Sequence, residues 1–362
     1  MNSRRDISPP PPPPRQQRLR IAVVQLAPRL GEPDANLRRA RELATAATVE
    51  HQPDVVLLPE AIPTPALYDP SLPYATYPCD GAPYQLMRDL AREHGCMVGG
   101  GYFGVSAGDA KALYIMAEPD GAVHVHRKDQ PDWWEAQYLR GGSSDGFCLT
   151  SVGPIGLAAG LEWARTRTVR RLAGDVRLVA GGACWFSFAE RGPIRAAFAH
   201  AGDRDFHVAR HIPARVARAV GAPVAIAHQV GDATGRAPLL PSAPWPTRRL
   251  GESQIVDRDG HVLAHMSAAD GEGYVCAEIL VAEPTPVDPV PMSFWLSPLP
   301  VSVRSANALL GLHGRRRFAR NKRAGGFPWQ SWQRRRLLPY HPGPLDLEPA
   351  IDDEATAVES SS

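Results

Sequence analysis

Three short apolar segments, each followed by a charged residue or a glycine, constrain the fold of this 362-residue chain more than any other feature. Apolar runs of this length predict buried β-strands. The segments are residues 55–58 before Pro59 and Glu60, residues 123–127 before Lys128, and residues 155–159 before Gly160. Charged side chains at strand ends sit on rigid elements while their tips can face a cleft. Glu60 and Lys128 can therefore each present a charged group at the end of a strand.

The segments around these strands alternate between strand and helix patterns. Residues 21–26 predict a strand, and residues 36–50 carry apolar side chains at helical spacing. Turn sequences at Pro119-Asp120-Gly121 and at residues 257–260 indicate two hairpins. Mixed helices, strands and hairpins indicate an α/β protein whose sheets are covered by helices.

Several motifs occur in the order found in one known family. They are Gln25-Leu26-Ala27-Pro28, Pro59-Glu60, Lys128, Asp132-Trp133-Trp134-Glu135, Gly160-Leu161-Glu162-Trp163 and Arg170-Arg171-Leu172-Ala173-Gly174. With these motifs, the chain resembles the nitrilase, or carbon-nitrogen hydrolase, superfamily from about Arg20 to Glu278. The resemblance implies a four-layer α-β-β-α sandwich and a homodimer or higher homo-oligomer. It implies no cofactor and no metal, and a small-molecule nitrile or amide as substrate.

The same resemblance implies roles for individual residues. In this family a Cys attacks the nitrile or amide carbon, a Glu accepts its proton, and a Lys stabilises the resulting anion. Glu60 matches the base, Lys128 the cation, and Glu135 the second Glu that orients the others. Gly160 stands at the position of the nucleophilic Cys, and Glu162 at the acidic position after it.

Because Gly160 has no side chain, the sequence leaves the nucleophile open. Cys184, in Gly181-Gly182-Ala183-Cys184-Trp185, follows the next strand and is one candidate for a displaced thiol. An ordinary partly buried cysteine is the favoured interpretation, since Glu60 is not expected to reach it. A water activated by Glu60 is the other route. Glu162, Trp163, Cys184 and Trp185 are predicted to line the binding pocket.

Other functions remain open alternatives. One is a catalytically silent protein that keeps the pocket as a ligand-binding or assembly module. Another places function in the segment from Arg304 to Arg336, which has ten Lys or Arg and no acid and could dock to a membrane or a nucleic acid. A solvated or partly docked arm is the favoured interpretation of that segment, so neither partner is expected.

Composition and motif context set the remaining predictions. Apolar residues make up 44% and charged residues 22% of the chain, as in ordinary globular proteins. Five cysteines without paired spacing, no secretory signal and no long apolar run predict a cytoplasmic protein. Gly99 to Gly104 satisfies a dinucleotide-binding pattern but leads to another strand rather than a helix. His124 and His126 alternate on a strand without a third metal ligand, which favours packing or pocket lining.

The sequence divides into four predicted regions. Residues 1–18 form a disordered Pro-rich extension, and residues 19–285 a nitrilase-like domain. Residues 286–345 form the basic C-terminal arm, and residues 346–362 a disordered acidic and Ser-rich tail.

Overall fold

The structure is a computed structural model that describes residues 16–106, 108–188, 195–237, 240–299 and 301–330. The predictions for residues 1–15 and for the chain beyond residue 330 lie outside the described residues. The described strands are β1 (Gln16–Gln25), β2 (Val55–Leu57), β3 (Thr76–Pro78), β4 (Met97–Ser106), β5 (Asp109–Ala117), β6 (Val123–Arg127), β7 (Phe147–Thr150), β8 (Gly153–Ala159), β9 (Leu178–Ala183), β10 (Phe186–Phe188), β11 (Val224–His228), β12 (Val230–Ala237), β13 (Leu240–Leu250), β14 (Ser253–Val256), β15 (Val262–Met266) and β16 (Gly273–Ala282). The described helices are α1 (Pro33–His51), α2 (Ala82–His94), α3 (Thr166–Leu172), α4 (Arg195–Val220) and α5 (Val301–Arg323).

The first large sheet contains seven strands. Its order is β16-β1-β2-β4-β5-β6, and β3 pairs with β4. β1, β2 and β4 are parallel, with Ile21 beside Val55 and Val55 beside Met97. β5 and β6 continue the sheet as an antiparallel hairpin, which confirms the turn predicted at Pro119-Asp120-Gly121. β2 and β6 therefore run in the same direction and end at the same edge of the sheet.

The second large sheet contains six strands in the order β15-β14-β11-β9-β8-β7. β8, β9 and β11 are parallel, joined through α3 and α4. The turn predicted at residues 257–260 connects the antiparallel pair β14 and β15. A backbone bridge between Leu26 and Gln229 links the ends of β1 and β11, so the carboxyl ends of the two sheets lie together. β10, β12 and β13 form a separate three-stranded sheet.

Three hydrophobic cores separate four layers. Between the two sheets, residues such as Leu57 and Tyr114 pack against Leu157 and Ala180. α1 and α2 cover the outer face of the first sheet, and α3 and α4 cover the outer face of the second. Alternate side chains of a strand point to opposite faces, so each buried strand supplies residues to two cores. This arrangement confirms the predicted α-β-β-α sandwich.

The N-terminal boundary differs from the sequence prediction. β1 begins at Gln16 and pairs with β16 along its whole length, from Gln16 beside Ala282 to Gln25 beside Gly273. The predicted disordered extension through residue 18 was therefore wrong for residues 16–18. Residues 16–20 are mostly polar, so the sequence pattern did not indicate a strand there. Pairing with β16 stabilises this part of β1.

The C-terminal segment packs on its own chain. α5 lies against a 3₁₀ helix at Trp133–Gln137, and Phe318 and Trp329 are fully buried in a core that also contains Trp134. Trp329 stacks on Phe327 with ring centroids 4.6 Å apart. Phe318, Phe327 and Trp329 therefore anchor the described part of the predicted arm, while Arg315 and Arg316 stay exposed. None of the described helices is long and apolar enough to span a bilayer.

Candidate active site

The two predicted charged residues meet at the shared edge of the sheets. Lys128 Nζ lies 2.8 Å from Glu60 Oε1 and 2.9 Å from Glu135 Oε2. Asp132, which the sequence analysis did not assign to the site, contributes a third carboxylate 2.6 Å from Lys128 Nζ. All four side chains are buried. The sequence could have indicated Asp132, because it lies four residues after Lys128 and in the same motif as Glu135.

Three acids around one amine cannot all be ionised without a large electrostatic cost. Burial raises the pKa of Glu60, and it raises the pKa of Glu135 to about 8, with Lys128 opposing both shifts. Burial alone would lower the pKa of Lys128, but the three carboxylates raise it well above its usual value. Lys128 therefore stays charged, and burial favours the protonated forms of Glu60 and Glu135.

A layer of ion pairs behind the cluster fixes its geometry. Arg165 Nη2 lies 2.5 Å from Asp132 Oδ1, and Arg165 Nη1 also pairs with Asp129. The Leu161 N–H donates to Asp132 Oδ2 at 2.9 Å. These buried contacts connect residues 29 to 36 positions apart, so local sequence patterns did not identify Asp129 or Arg165. Asp132 therefore joins the amine to the 3₁₀ helix at Gly160–Ala164 that follows β8.

Glu162 lies within this 3₁₀ helix and fixes it through buried contacts rather than lining the cavity. Its carboxylate lies 2.7 Å from His126 Nε2 and accepts hydrogen bonds from the N–H groups of Asp129 and Ala159. Burial alone would raise the pKa of Glu162, but the interactions with His126 and Arg171 lower it overall. His126 is thus paired with an acid, in agreement with the packing interpretation. Trp163 is also buried in the core and donates from Nε1 to the Gly182 carbonyl at 3.3 Å.

Gly160 sits against the charged cluster in a conformation that favours glycine. Its φ is +57°, in the left-handed region. A Cβ at this position would lie 2.5 Å from Lys128 Nζ, 2.7 Å from Asp132 Oδ2 and 2.8 Å from Glu60 Oε2. The charged atoms therefore occupy the space that a side chain at position 160 would need.

Cys184 reaches Glu60, contrary to the sequence expectation. Its Sγ donates a hydrogen bond to Glu60 Oε2 over 3.0 Å, while Glu60 Oε1 accepts from Lys128. Gly182 explains the approach, because a Cβ there would lie 2.4 Å from the backbone nitrogen of Glu60. The absence of a side chain lets the end of β9 touch the segment after β2. Burial raises the pKa of the Cys184 thiol well above its usual value, and Glu60 raises it further.

A cavity opens over this thiol. It measures about 690 Å³ with its open mouth, and Glu60, Glu135, Gly160, Cys184 and Trp185 are among its lining residues. Of the four residues predicted to bind a ligand, Cys184 and Trp185 line the cavity, whereas Glu162 and Trp163 lie outside its wall. The cavity therefore presents a thiol and a carboxylate base to the same space, and the Lys128 ammonium group contacts that base from behind the wall.

Comparisons with known proteins give the family model and the solved structures that this chain is similar to. Residues 20–176 match the family model of the carbon-nitrogen hydrolases. No curated protein matches the chain. Among solved structures, the chain is similar to a carbon-nitrogen hydrolase from Helicobacter pylori G27, with 20% identity, a TM-score of 0.60, and coverage of 72% of this chain and 89% of that chain.

Two further solved structures show the same fold. Nit3 of Saccharomyces cerevisiae, a member of branch 10 of the nitrilase superfamily, has 18% identity and a TM-score of 0.55, covering 72% of this chain and 90% of that chain. The NitN amidase from Nesterenkonia sp. AN1 has 18% identity and a TM-score of 0.56, covering 72% of this chain and 92% of that chain. Residues 20–176 are therefore similar to the carbon-nitrogen hydrolase family model, and the chain has the fold of these solved structures.

Proposed function

We propose that this chain hydrolyses the carbon–nitrogen bond of a non-peptide amide or nitrile, with Cys184 as the nucleophile. The hydrogen bond from Cys184 Sγ to Glu60 Oε2 is the observation that carries the proposal. A nucleophile and a base within hydrogen-bond reach are the structural signature of an activated thiol. The base is in turn held by Lys128, whose contact with Glu60 Oε1 leaves Oε2 facing the thiol.

For an amide, the proposed reaction has two halves. Cys184 gives its proton to Glu60 as the sulfur attacks the carbonyl carbon and an oxygen anion forms, while the positive charge of Lys128 behind Glu60 lowers the cost of that anion. Glu60 then returns the proton to the nitrogen, the carbon–nitrogen bond breaks, and ammonia leaves a thioester on Cys184. Water, deprotonated by Glu60, attacks the thioester and releases a carboxylic acid and the free thiol.

Ammonia release tests this proposal with matched cysteine variants. Cys184 and Cys148 are equally buried, but Cys148 lies on β7 between the sheets and outside the cavity wall. We expect Cys184→Ala to lower kcat by at least about 10³-fold, because loss of a nucleophile removes a cooperating group. Cys148→Ala should keep the wild-type rate once its folding is verified. Full activity in Cys184→Ala would exclude the displaced thiol and favour a water activated by Glu60.

A catalytically silent ligand-binding protein is the second candidate. The raised pKa of Cys184 favours it, because burial keeps the thiol protonated in the absence of substrate. This candidate retains the cavity and the buried charges but forms no thioester. Absence of ammonia release from a broad panel of amides and nitriles, together with measurable ligand binding, would support it over the hydrolase.

A further inference from the structure

Much of the cavity lining is apolar. Trp133 and Trp134 come from the 3₁₀ helix before β7, whereas Trp185 and Phe186 follow β9. The ring of Phe186 lies 4.9 Å from that of Trp134 and 5.5 Å from that of Trp133. Leu299, just before α5, completes the lining from the C-terminal segment. Aromatic and aliphatic groups from separate elements therefore converge over Cys184.

Among the residues that the structure describes, the charged members of the lining are all acids. They are Glu60, Asp132 and Glu135, and Lys128 already contacts each of them from behind the wall. A carboxylate or phosphate on a substrate would lose its water without gaining a cation among these lining residues. An anionic substrate is consequently disfavoured. Because Lys128 neutralises part of the acid charge, a cationic substrate gains little as well.

We infer that the site selects an uncharged amide whose acyl group is aromatic or branched aliphatic. Such a group removes apolar surface of both substrate and wall from water, which favours binding. The chemical step of this inference rests on the proposed hydrolase function, but recognition by the wall does not. Binding and turnover can therefore be tested separately.

Phenylacetamide, acetamide and phenylacetate test two features of the inferred substrate separately: its apolar acyl group and its lack of charge. Acetamide lacks the phenyl ring, and phenylacetate keeps the ring but carries a negative charge at neutral pH. We expect kcat/KM of the wild type to be at least about 10-fold higher for phenylacetamide than for acetamide, since apolar pockets discriminate by roughly 10–200-fold. Calorimetry on Cys184→Ala should show phenylacetamide binding at least about 10-fold more tightly than either other compound.

Leu299→Ala tests the wall directly. Its removal should reduce the phenylacetamide preference several-fold, because the ring loses contact on one side. Leu149→Ala is the matched control, since Leu149 is 68% exposed on β7. Equal use of acetamide, or equal binding of phenylacetate, would overturn the inference while leaving the hydrolase proposal intact. Selective binding of phenylacetamide without turnover would overturn the hydrolase proposal instead.

Discussion

At the scale of single residues, Gly160 leaves room for the charged cluster, and Cys184 brings a thiol to the same carboxylate. A side chain at position 160 would enter the space of Lys128, Asp132 and Glu60, whereas Cys184 approaches Glu60 from the neighbouring strand. The sequence identified Gly160 as a departure from the family pattern, but it gave no distance between Glu60 and Cys184. That distance depends on the pairing of β9 with β8 and on contact between the two sheets.

The crowding at Gly160 predicts a loss of stability on substitution. Gly160→Ala should lower the free energy of unfolding by about 1–3 kcal/mol from crowding, in addition to the left-handed strain of about 1–2 kcal/mol. Gly121→Ala is the control, because Gly121 also has a positive φ but no atom within 4 Å of its Cβ position. Urea unfolding measures both variants. Equal losses would show that the charged cluster yields to a methyl group at little cost.

Glu135 predicts how stability changes with pH. Its pKa rises from 4.5 to about 8 on folding because it is buried. The folded state therefore binds more protons than the unfolded state between these values, and the contribution of Glu135 to stability falls as pH rises through this window. The free energy of unfolding of the wild type, relative to that of Glu135→Gln, should thus be lower at pH 8 than at pH 5. Urea unfolding at both pH values measures it, and a shift in favour of the wild type contradicts the assignment.

At the scale of elements, α5 positions the segment that carries Glu135. The Trp133 N–H donates to Asn307 Oδ1 at 3.0 Å, and Trp133 has a φ of +46°. Gly314 packs against the backbone of Ala136, since a Cβ there would lie 2.9 Å from the Ala136 carbonyl carbon. The 3₁₀ helix at Trp133–Gln137 is therefore held from outside by the C-terminal segment.

This contact predicts a functional effect of a residue outside the cavity wall. Asn307→Ala should lower kcat more than it raises KM, because Glu135 loses its fixed position while the apolar wall remains. Asn307→Asp keeps an acceptor oxygen and should restore most of kcat. Arg316→Ala, an exposed change on the same helix, serves as control. Equal loss in the Ala and Asp variants would contradict a positioning role for the hydrogen bond.

Strand ends were the part of the site that sequence predicted best. Glu60, Lys128 and Glu135 meet as the resemblance implied, because β2 and β6 end at one edge. Asp132 and Arg165 were missed, since their pairing spans separate loops that periodicity does not describe. Glu162 was assigned to binding by its place in the motif, but it faces His126 and the backbone instead.

At the scale of the whole molecule, the site and the C-terminal segment share one hydrophobic core. Trp329 is fully buried in the cluster that contains Trp133, Trp134 and Cys184. The sequence predicted a solvated or partly docked basic arm at residues 286–345, with Phe318 and Trp329 between its arginines. Those residues bury the segment, so its described part stabilises the domain.

A substitution in the core tests whether the site and the C-terminal segment are stabilised together. Trp329→Ala should lower the free energy of unfolding by about 3–5 kcal/mol, as truncation of a large buried side chain does. Leu312→Ala, on the exposed part of α5, should change it by less than about 0.5 kcal/mol. Hydrogen exchange should show faster exchange in the 3₁₀ helix at Trp133–Gln137 in the Trp329 variant. Unchanged exchange there would separate the C-terminal segment from the site.

The covalent intermediate provides the most direct test of the central claim. Phenylacetamide is mixed with the wild type, the reaction is quenched in acid, and the peptides are mapped by mass spectrometry. The account predicts a phenylacetyl adduct on Cys184 that is absent from Cys184→Ala and from Glu60→Gln. Ammonia release without an adduct on Cys184, at a rate that Cys184→Ala retains, would contradict the account and assign the attack to water.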